Sequence, residues 1–291
     1  PVVYVDSGST DGSVAVARVA GAEVVELDMT QPFTAARARN AGLARLYDIA
    51  PDIHFVQLLD GDCELQPGWI AEALAALEAE PDLAVVCGRR RERFPNATIW
   101  NRMIDAEWDT PVGEAIACGG DALMRRTALE DVGGYRDSLI AGEEPEMCYR
   151  MRQKGWRIRR IDAEMTLHDA AMSRASQWWK RSHRAGHAFA EDAALHGGGQ
   201  ERFRVAETRR ALIWGVGVPL VTVLAGMVFG WWAALLLLLI WPAQVVRLKA
   251  RGLPWSRAFF LTIGKLPEAQ GVLSYWIRRV TGRRQGLIEY K

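Results

Sequence analysis

The sequence predicts an α/β fold built on a doubly wound sheet, followed by a helical region associated with a membrane. Short apolar runs alternate with helical segments through the first part of the chain, as in βαβ units. Residues 211–246, in contrast, carry no charged side chain at all. The chain has 291 residues, 49% of them hydrophobic, so it can bury a substantial core before that span begins.

Each element of the predicted sheet follows from a local pattern. Residues 2–5 form a continuous apolar run, typical of a strand buried on both faces, and a turn-forming cluster follows at residues 6–12. Thr34 is placed to cap a helix, and Gly68 opens another. We predict strands at residues 2–5, 23–27, 54–59, 83–87 and 157–161, and helices at residues 13–20, 34–47, 69–80 and 147–154.

Two carboxylates, Asp60 and Asp62, come directly after the predicted strand at residues 54–59. Asp6 follows the first strand in the same way. The ligand crevice of a doubly wound sheet lies beyond the carboxyl ends of its strands, so we expect these side chains to meet there. Carboxylate oxygens, together with phosphates, suit Mg²⁺ or Mn²⁺. Asp62 is therefore predicted as a direct cation ligand, with Asp60 holding ribose or a metal-bound water.

The acidic pair also fits a purely structural role. An acidic turn that caps the helix at Pro67 is the alternative to a cation site. A calcium loop of the EF-hand type is excluded, because Leu65 occupies the sixth position, where that loop requires glycine.

Five motifs in order resemble the family 2 glycosyltransferases with the GT-A fold. Residues 3–12, VYVDSGSTDG, are similar to the family's strand-end motif that contacts the nucleotide's base and ribose. Residues 33–42, FTAARARNAG, resemble its Ala-Arg-Asn-x-Gly helix, and residues 59–62, LDGD, match its Asp-x-Asp. The resemblance continues at residues 125–135 and 142–156.

The resemblance implies an inverting transfer of sugar from a nucleotide-diphosphate donor, with Mg²⁺ or Mn²⁺ as cofactor. The family's first strand and its Pro-x-Tyr-Asn segment have no counterpart here, so we expect a GT-A domain at residues 1–190 that is N-terminally incomplete. The implied roles are donor binding by Asp6, Ser9, Asp11, Arg39, Asp60 and Asp62, cation binding by Asp62, Asp60 and His168, and catalysis by Glu144 and Glu143.

Three glutamates, Glu143, Glu144 and Glu146, cluster at the start of a helical segment. Acidic residues favour the first turn of a helix, but three exceed what capping requires. A carboxylate here can take the proton of an acceptor hydroxyl. Glu144 aligns with the family's catalytic position, where relatives usually carry Asp.

The arginines at 89–91 either face a phosphorylated acceptor or form a solvated loop.

A stretch with Gln177, Arg181 and Arg184 is faintly similar to the family's Gln-x-x-Arg-Trp segment, which contacts diphosphate and acceptor. The Arg-Trp pair itself is absent. The same stretch is equally typical of an amphipathic helix at a membrane surface.

The charge-free span is about 54 Å long as a helix at roughly 1.5 Å per residue, whereas one crossing needs only about 20 residues. Two passes that break near residues 226–230 therefore fit better than one. Basic residues flank both ends, which predicts that both are cytoplasmic. A buried hairpin of a soluble domain is the alternative. We predict a linker at 191–210, a transmembrane helical hairpin at 211–246 and an amphipathic membrane-surface tail at 247–291.

Charge and cysteine usage narrow the function classes. A net charge of +1 gives no argument for a nucleic-acid partner, and four cysteines without a CxxC pair fit reduced thiols in the cytoplasm.

Taken together, the motifs and the apolar span predict a glycosyltransferase on the cytoplasmic face of a membrane, acting on a lipid-linked or glycan acceptor in polysaccharide or glycolipid synthesis. A nucleotidyltransferase, and an inert sugar-nucleotide-binding or membrane-scaffold domain, are the alternatives.

Overall fold

A computed structural model of the chain describes residues 1–282. The described chain divides into two compact units. Unit 1 comprises Pro1–Pro95 and Ile104–Ala170, and unit 2 comprises Asn96–Met103 and the residues that follow Ala170. The last part of the predicted tail, residues 283–291, lies outside the described residues.

The predicted alternation of strands and helices in the first part of the chain is confirmed. The strands are β1 Val3–Asp6, β2 Glu23–Glu26, β3 Phe55–Leu58, β4 Cys63–Leu65, β5 Leu83–Glu92, β6 Gly113–Glu114, β7 Ala122–Arg125 and β8 Arg157–His168. The helices are α1 Ser13–Val19, α2 Ala35–Ile49, α3 Trp69–Ala79, α4 Ile99–Trp108, α5 Arg126–Val132 and α6 Glu143–Gln153.

The sheet of unit 1 is mixed rather than wholly parallel. β1 and β2 form a parallel pair, and the larger sheet has the order β3-β7-β5-β8-β4, with β6 also paired to β8. β7 runs antiparallel to both β3 and β5, whereas β5 and β8 are parallel. β7 therefore begins at the end of the sheet where β3 and β5 end, whereas a parallel neighbour would need a crossover back to the opposite end.

Local signals in the sequence position the elements around the site. Thr34 caps α2 as predicted: its Oγ1 accepts a hydrogen bond from the Arg37 backbone N–H at 3.0 Å. α3 begins after Gly68, which caps the helix without a side-chain hydrogen bond. The core of unit 1 forms where α3 and the central strands bury large side chains, among them Trp69, Leu77, Leu83, Met124 and Met165.

Unit 2 is helical within the described residues. Its helices are α7 Ala175–His196, α8 Val205–Leu212, α9 Val218–Phe229, α10 Trp231–Leu238, α11 Ile240–Ala250, α12 Trp255–Ile263 and α13 Lys265–Thr281, with a π-helical segment at Ile213–Gly217. The stretch predicted as a linker, 191–210, is therefore mostly helical, because it contains the end of α7 and the start of α8.

The predicted surface tail is partly a packed helix. α13 lies against α7, and its backbone at Gly271 passes so close to that of Gly186 that a Cβ on either residue would overlap the facing helix. Ala269, Val272 and Tyr275 are buried on α13. Two glycines at one crossing let the helices approach closely, so one side of α13 packs against α7.

Two stretches of unit 2 are long and apolar enough to cross a membrane, Val205–Phe229 and Trp231–Ala250. They meet at Gly230, whose φ of 93° lies in a region that favours glycine, so the chain turns where the sequence predicted a break. Only 6% of the apolar window in each stretch is buried. The apolar side chains of both stretches are therefore largely exposed on the described chain.

Candidate active site

The guanidinium of Arg39 joins two acidic residues from distant parts of unit 1. From α2 it reaches Asp60 Oδ1 at 2.7 Å and Glu143 Oε1 at 2.8 Å. Its guanidinium carbon also lies 5.4 Å from the centre of the Tyr135 ring. Burial opposes ionisation of Asp60, but Arg39 and Arg90 outweigh it and hold its pKa below the usual value. The strand-end aspartate and the acidic cluster of α6, predicted separately, therefore belong to one charged network.

Beneath Asp60 lies a fully buried carboxylate, Asp121. Its Oδ1 accepts a hydrogen bond from the Asp60 backbone N–H at 3.0 Å, and its Oδ2 accepts one from Thr166 Oγ1 at 3.0 Å. Arg90 Nε lies 2.9 Å from the same Oδ2. A buried ion pair needs such extra hydrogen bonds to offset its desolvation. Asp121 therefore fixes the backbone from which Asp60 projects.

The arginines at 89–91 do not form the solvated loop that was one of the two predictions for them. β5 extends through all three, further than the predicted strand. Arg89 is buried and pairs with Asp105 at 2.8 Å, whereas Arg91 is exposed and pairs with Glu164. The register of β5 against β8 shifts on both sides of Arg89, and Arg90 lies against Asp121.

Gly120 has no side chain, which leaves space for the side chains of Asp60 and Arg39. A Cβ on this residue would overlap Asp60 Oδ2 and would lie 3.0 Å from an Arg39 nitrogen. The glycine next to Asp121 is thus needed for the close approach of the strand-end loop.

A second pair of candidate residues is formed by Asp62 and His168. Asp62 Oδ2 lies 3.1 Å from His168 Nε2, and the two are brought together because Cys63 of β4 pairs with His168 of β8. The imidazole stacks on Trp108, with ring centres 4.7 Å apart and an angle of 9° between the planes. The stacking fixes the orientation of the ring. Asp62, Cys63 and His168 have donor atoms close enough together to hold a metal ion.

Glu144 lies on the buried side of α6 and is held by two cysteines. Its Oε1 accepts hydrogen bonds from the Cys118 backbone N–H at 2.6 Å, from Cys118 Sγ at 3.0 Å and from Cys148 Sγ at 2.9 Å. Burial raises the pKa of Cys118 well above its usual value and that of Cys148 to about 11. Both thiols are therefore protonated donors at neutral pH. The carboxylate has one defined position.

The third glutamate of the cluster, Glu146, forms ion pairs that give it a structural role. Glu146 is fully buried and pairs with Arg150 at 2.8 Å and with Arg136 at 3.2 Å. Arg150 also donates to the Gly134 carbonyl at 2.7 Å. These contacts connect α6 to the turn that follows α5. The buried charge of Glu146 is therefore explained by its structural ion pairs.

The predicted nucleoside-contacting residues lie at the end of β1. Asp6 is buried, and its Oδ2 accepts hydrogen bonds from the backbone N–H groups of Gly8 and Ser9 at 2.8 and 3.0 Å. The Ser9 side chain, with these backbone groups, lowers the pKa of Asp6. Its Oδ1 is buried without a hydrogen-bond partner among the described residues. Asp11 is exposed and accepts from the Ser13 backbone at 3.0 Å, at the start of α1.

The three residues predicted tentatively for acceptor or diphosphate lie in unit 2. Gln177 Oε1 accepts hydrogen bonds from the backbone N–H groups of Ser173 and Arg174, both at 2.9 Å. This is a helix-capping role at the start of α7. Arg181 and Arg184 follow on the same helix.

Sequence reasoning missed three residues of the site, Asp121, Cys118 and Cys148, and did not foresee that Arg90 pairs with Asp121. Asp121 had a local signal, because it follows two glycines and opens an apolar run. The cysteines had none. They lie 30 positions apart in the chain, and their proximity depends on the loop before β7 reaching α6.

Comparison with known proteins identifies relatives of this arrangement. The family model described as Glycosyl transferase family 2 matches residues 1–133. The pre-mycofactocin glycosyltransferase of Mycobacterium tuberculosis H37Rv is 28% identical over an alignment of 145 residues, which covers 46% of this chain and 30% of the relative. The match thus spans less than a third of that relative's length.

Solved structures with the GT-A fold are similar at lower identity. The mannosyltransferase PcManGT from Pyrobaculum calidifontis, solved with GDP-Man and Mn²⁺, has a TM-score of 0.54 at 19% identity, covering 97% of this chain and 78% of its own. TarS of S. aureus, solved with UDP-GlcNAc, has a TM-score of 0.51 at 14% identity, covering 97% and 83%. Both confirm the predicted GT-A fold class.

Proposed function

Residues 1–133 match the model of glycosyl transferase family 2, and from this match we propose that the chain is an inverting glycosyltransferase. Its donor is a nucleoside-diphosphate sugar, and its acceptor is a membrane-associated glycan or lipid. The observation that carries the proposal is the network in which Arg39 joins Asp60 at 2.7 Å to Glu143 at 2.8 Å, at the carboxyl end of β3. Asp62 follows two residues later.

Donor binding falls to the ends of β1 and β3. The buried Oδ1 of Asp6, which has no partner among the described residues, can accept a hydrogen bond from a base or ribose. A buried acceptor left unpaired costs about 1–3 kcal/mol, so a ligand that pairs it gains that amount. Ser9 and Asp11 lie in the adjoining loop, while Asp60 and Arg39 lie where ribose and diphosphate are expected.

A divalent cation, Mg²⁺ or Mn²⁺, would be held by Asp62 and His168. The residues fit such an ion: a carboxylate oxygen and an imidazole nitrogen lie 3.1 Å apart, and Trp108 fixes the ring. When bound, the cation supplies counter-charge for the leaving diphosphate. Asp60 has its charge shared with two arginines, so we assign it to ribose or to a metal-bound water.

Glu144 is the proposed base, and Glu143 supports it by anchoring Arg39. The acceptor oxygen forms a bond to the anomeric carbon as the bond from that carbon to the diphosphate breaks, and the acceptor's proton passes to the Glu144 carboxylate. Attack from the face opposite the leaving group inverts the anomeric configuration. The hydrogen bonds from Cys118 and Cys148 support this role because they hold the carboxylate in one orientation.

The apolar helices of unit 2 support a location at a membrane. We propose that residues 211–246 cross twice and that both ends are cytoplasmic, because basic residues flank each end and Gly230 separates the two helices. A membrane anchor in the same chain suits a lipid-linked acceptor. Polysaccharide or glycolipid synthesis is therefore the setting we propose.

Substitution Asp62→Asn in the full chain tests the function. We expect sugar-nucleotide turnover to fall by roughly 10²-fold or more, since even an outer partner of a metal ligand contributes about 10–100-fold. Mn²⁺-dependent nucleotide binding should weaken in parallel, as measured by calorimetry. Asp52→Asn, at an exposed position of the same unit, is the matched control. Full activity of the unaltered chain in excess chelator would exclude the cation.

A further inference from the structure

Two thiols and one carboxylate converge in unit 1, outside the Asp62 and His168 pair. Cys118 Sγ and Cys148 Sγ lie 3.8 Å apart. Glu144 Oε1 lies 3.0 Å from the first sulfur and 2.9 Å from the second. The three donor atoms therefore form a small triangle with one atom from each residue.

The local structure explains why the triangle has this shape. Glu144 and Cys148 are four residues apart on α6, so both side chains project from one face of the helix. Cys118 comes from the loop ahead of β7 and is followed by Gly119, whose φ of 83° turns the chain. A helix that offers two ligands one turn apart, completed by a third from elsewhere in the fold, is a common way to build a metal site.

The spacing of the sulfurs matches a tetrahedral metal centre. With metal–sulfur bonds of about 2.3 Å, two thiolates on one Zn²⁺ lie roughly 3.8 Å apart, as these two sulfurs do. A sulfur and a carboxylate oxygen on the same ion lie roughly 3.5 Å apart, so Glu144 would need to retreat by about half an ångström. Its rotatable side chain allows that movement. The fourth position is left to water.

The protons on the thiols are what such an ion would replace. In this structure Cys118 and Cys148 donate hydrogen bonds to Glu144 through their thiol protons. A thiophilic cation releases those two protons and supplies the positive charge that the buried carboxylate and thiolates then need.

We propose that Cys118, Cys148 and Glu144 form a binding site for a thiophilic divalent cation of the Zn²⁺ and Cd²⁺ class. A cation in this site binds the Glu144 oxygen. Without the cation, the same oxygen is oriented by hydrogen bonds from the two thiols. The consequence for catalysis rests on the proposed function: if Glu144 is the base, a bound Zn²⁺ inhibits the transfer.

The binding test uses Cd²⁺ and the ultraviolet charge-transfer band of cadmium thiolates. The reduced full chain is titrated in the Cys63→Ser background, which removes the thiol beside Asp62, and Mn²⁺ is present in excess. We expect a saturable band of one equivalent. It should vanish in Cys118→Ser/Cys148→Ser and persist in Cys87→Ser, whose buried thiol faces the Arg159 carbonyl instead. Absence of the band, or its persistence in the double variant, would overturn the site.

Folding and function are separated by two further measurements. Thermal melts of all variants show whether a lost band reflects a lost fold. The single variant Cys148→Ser is a second control, because it should weaken the band on its own. Added Zn²⁺ should lower turnover by roughly the 10²-fold or more that a general base contributes, in the Cys63→Ser chain but not in the double variant. A cysteine-dependent band without inhibition would leave the site intact and remove Glu144 from the reaction.

Discussion

The two units depart from the ordinary distribution of polar and apolar residues in opposite directions. Unit 1 buries charge: Asp121 and Glu146 are fully buried, and Arg89 is 5% exposed. Unit 2 exposes hydrocarbon: Met227 is 77% exposed and Trp231 75%. Either feature costs free energy in water, since isolated buried charges and large exposed apolar surfaces are both unfavourable. Unit 1 offsets its buried charge by ion pairs within the unit, whereas unit 2 leaves hydrocarbon exposed on its described residues.

The largest expected effect comes from the carboxylate that the two thiols of unit 1 hold in place. Glu144→Gln should reduce the chemical step by about 10²–10⁴-fold while leaving sugar-nucleotide affinity nearly unchanged. Single-turnover kinetics and equilibrium binding of the donor separate the two quantities. Loss of turnover in Glu143→Gln or Glu146→Gln, with Glu144→Gln active, would show that the base was assigned to the wrong glutamate.

Stability tests whether the buried charge of unit 1 depends on its pairing. Asp121→Asn leaves Arg90 without its closest carboxylate, and breaking a buried pair costs about 3–5 kcal/mol. Asp131→Asn removes a pair in which both side chains are 40% or more exposed, and such pairs contribute about 0–1 kcal/mol. Denaturant unfolding should separate the variants by several kcal/mol. Equal losses would mean that burial of Asp121 carries no special energy.

The exposed apolar surface of unit 2 can be tested by adding one charge. Leu236 lies on α10 and is 59% exposed. In a membrane, Leu236→Arg should cost about 2.5–3.5 kcal/mol of insertion free energy and lower the membrane-bound fraction. In a soluble helix the same exposed substitution would change stability by only about 0.5 kcal/mol. Val280→Arg, 84% exposed and beyond the two apolar stretches, is the control.

The same helices determine where the end of the chain lies. A reporter fused after Lys291 should be cytoplasmic if residues 211–246 cross twice. Deletion from Arg210 onward should release catalytic protein from membranes. A reporter on the opposite side would establish a single crossing.

The smallest expected effect concerns a histidine of unit 2. Like several acidic residues of unit 1, it is buried. His187 is 4% exposed on α7, packs edge to face on Tyr275, and has Nδ1 3.6 Å from Glu191 Oε2. Burial, with Arg278 and His183, lowers its pKa to about 4. The unfolded chain takes up the proton first as the pH falls from about 6.5 to about 4, so stability decreases over that window.

The loss should be about 2 kcal/mol between roughly pH 7 and pH 5, as the difference between the two pKa values requires. Unfolding of the detergent-solubilised chain at several pH values measures it. In His187→Gln this part of the acid dependence should disappear. An unchanged slope would assign it to other groups.

The sequence predicted the parts of the site that depend on one element at a time. Asp60 and Asp62 were placed because a strand end is a local feature, and Thr34 because a helix cap is one. The antiparallel entry of β7 was not predicted, since apolar patterning does not fix strand direction. The partners of Glu144 and Asp60 were missed for the same reason, because Cys118 and Asp121 reach the site only through that strand and its preceding loop.

Arg39 has a consequence for how the two aspartates of the strand-end motif divide their work. Asp60 already faces two guanidinium groups, so its negative charge adds little to the pull on an arriving ion. Asp62 is 43% exposed and lies beside an imidazole, so more of its charge can act on that ion. If Asp62 and His168 hold the cation as proposed, a site with one carboxylate and one imidazole binds it loosely, and the diphosphate provides much of the remaining coordination. We therefore expect metal and donor to arrive and leave together, so that occupancy follows the supply of sugar nucleotide rather than of metal.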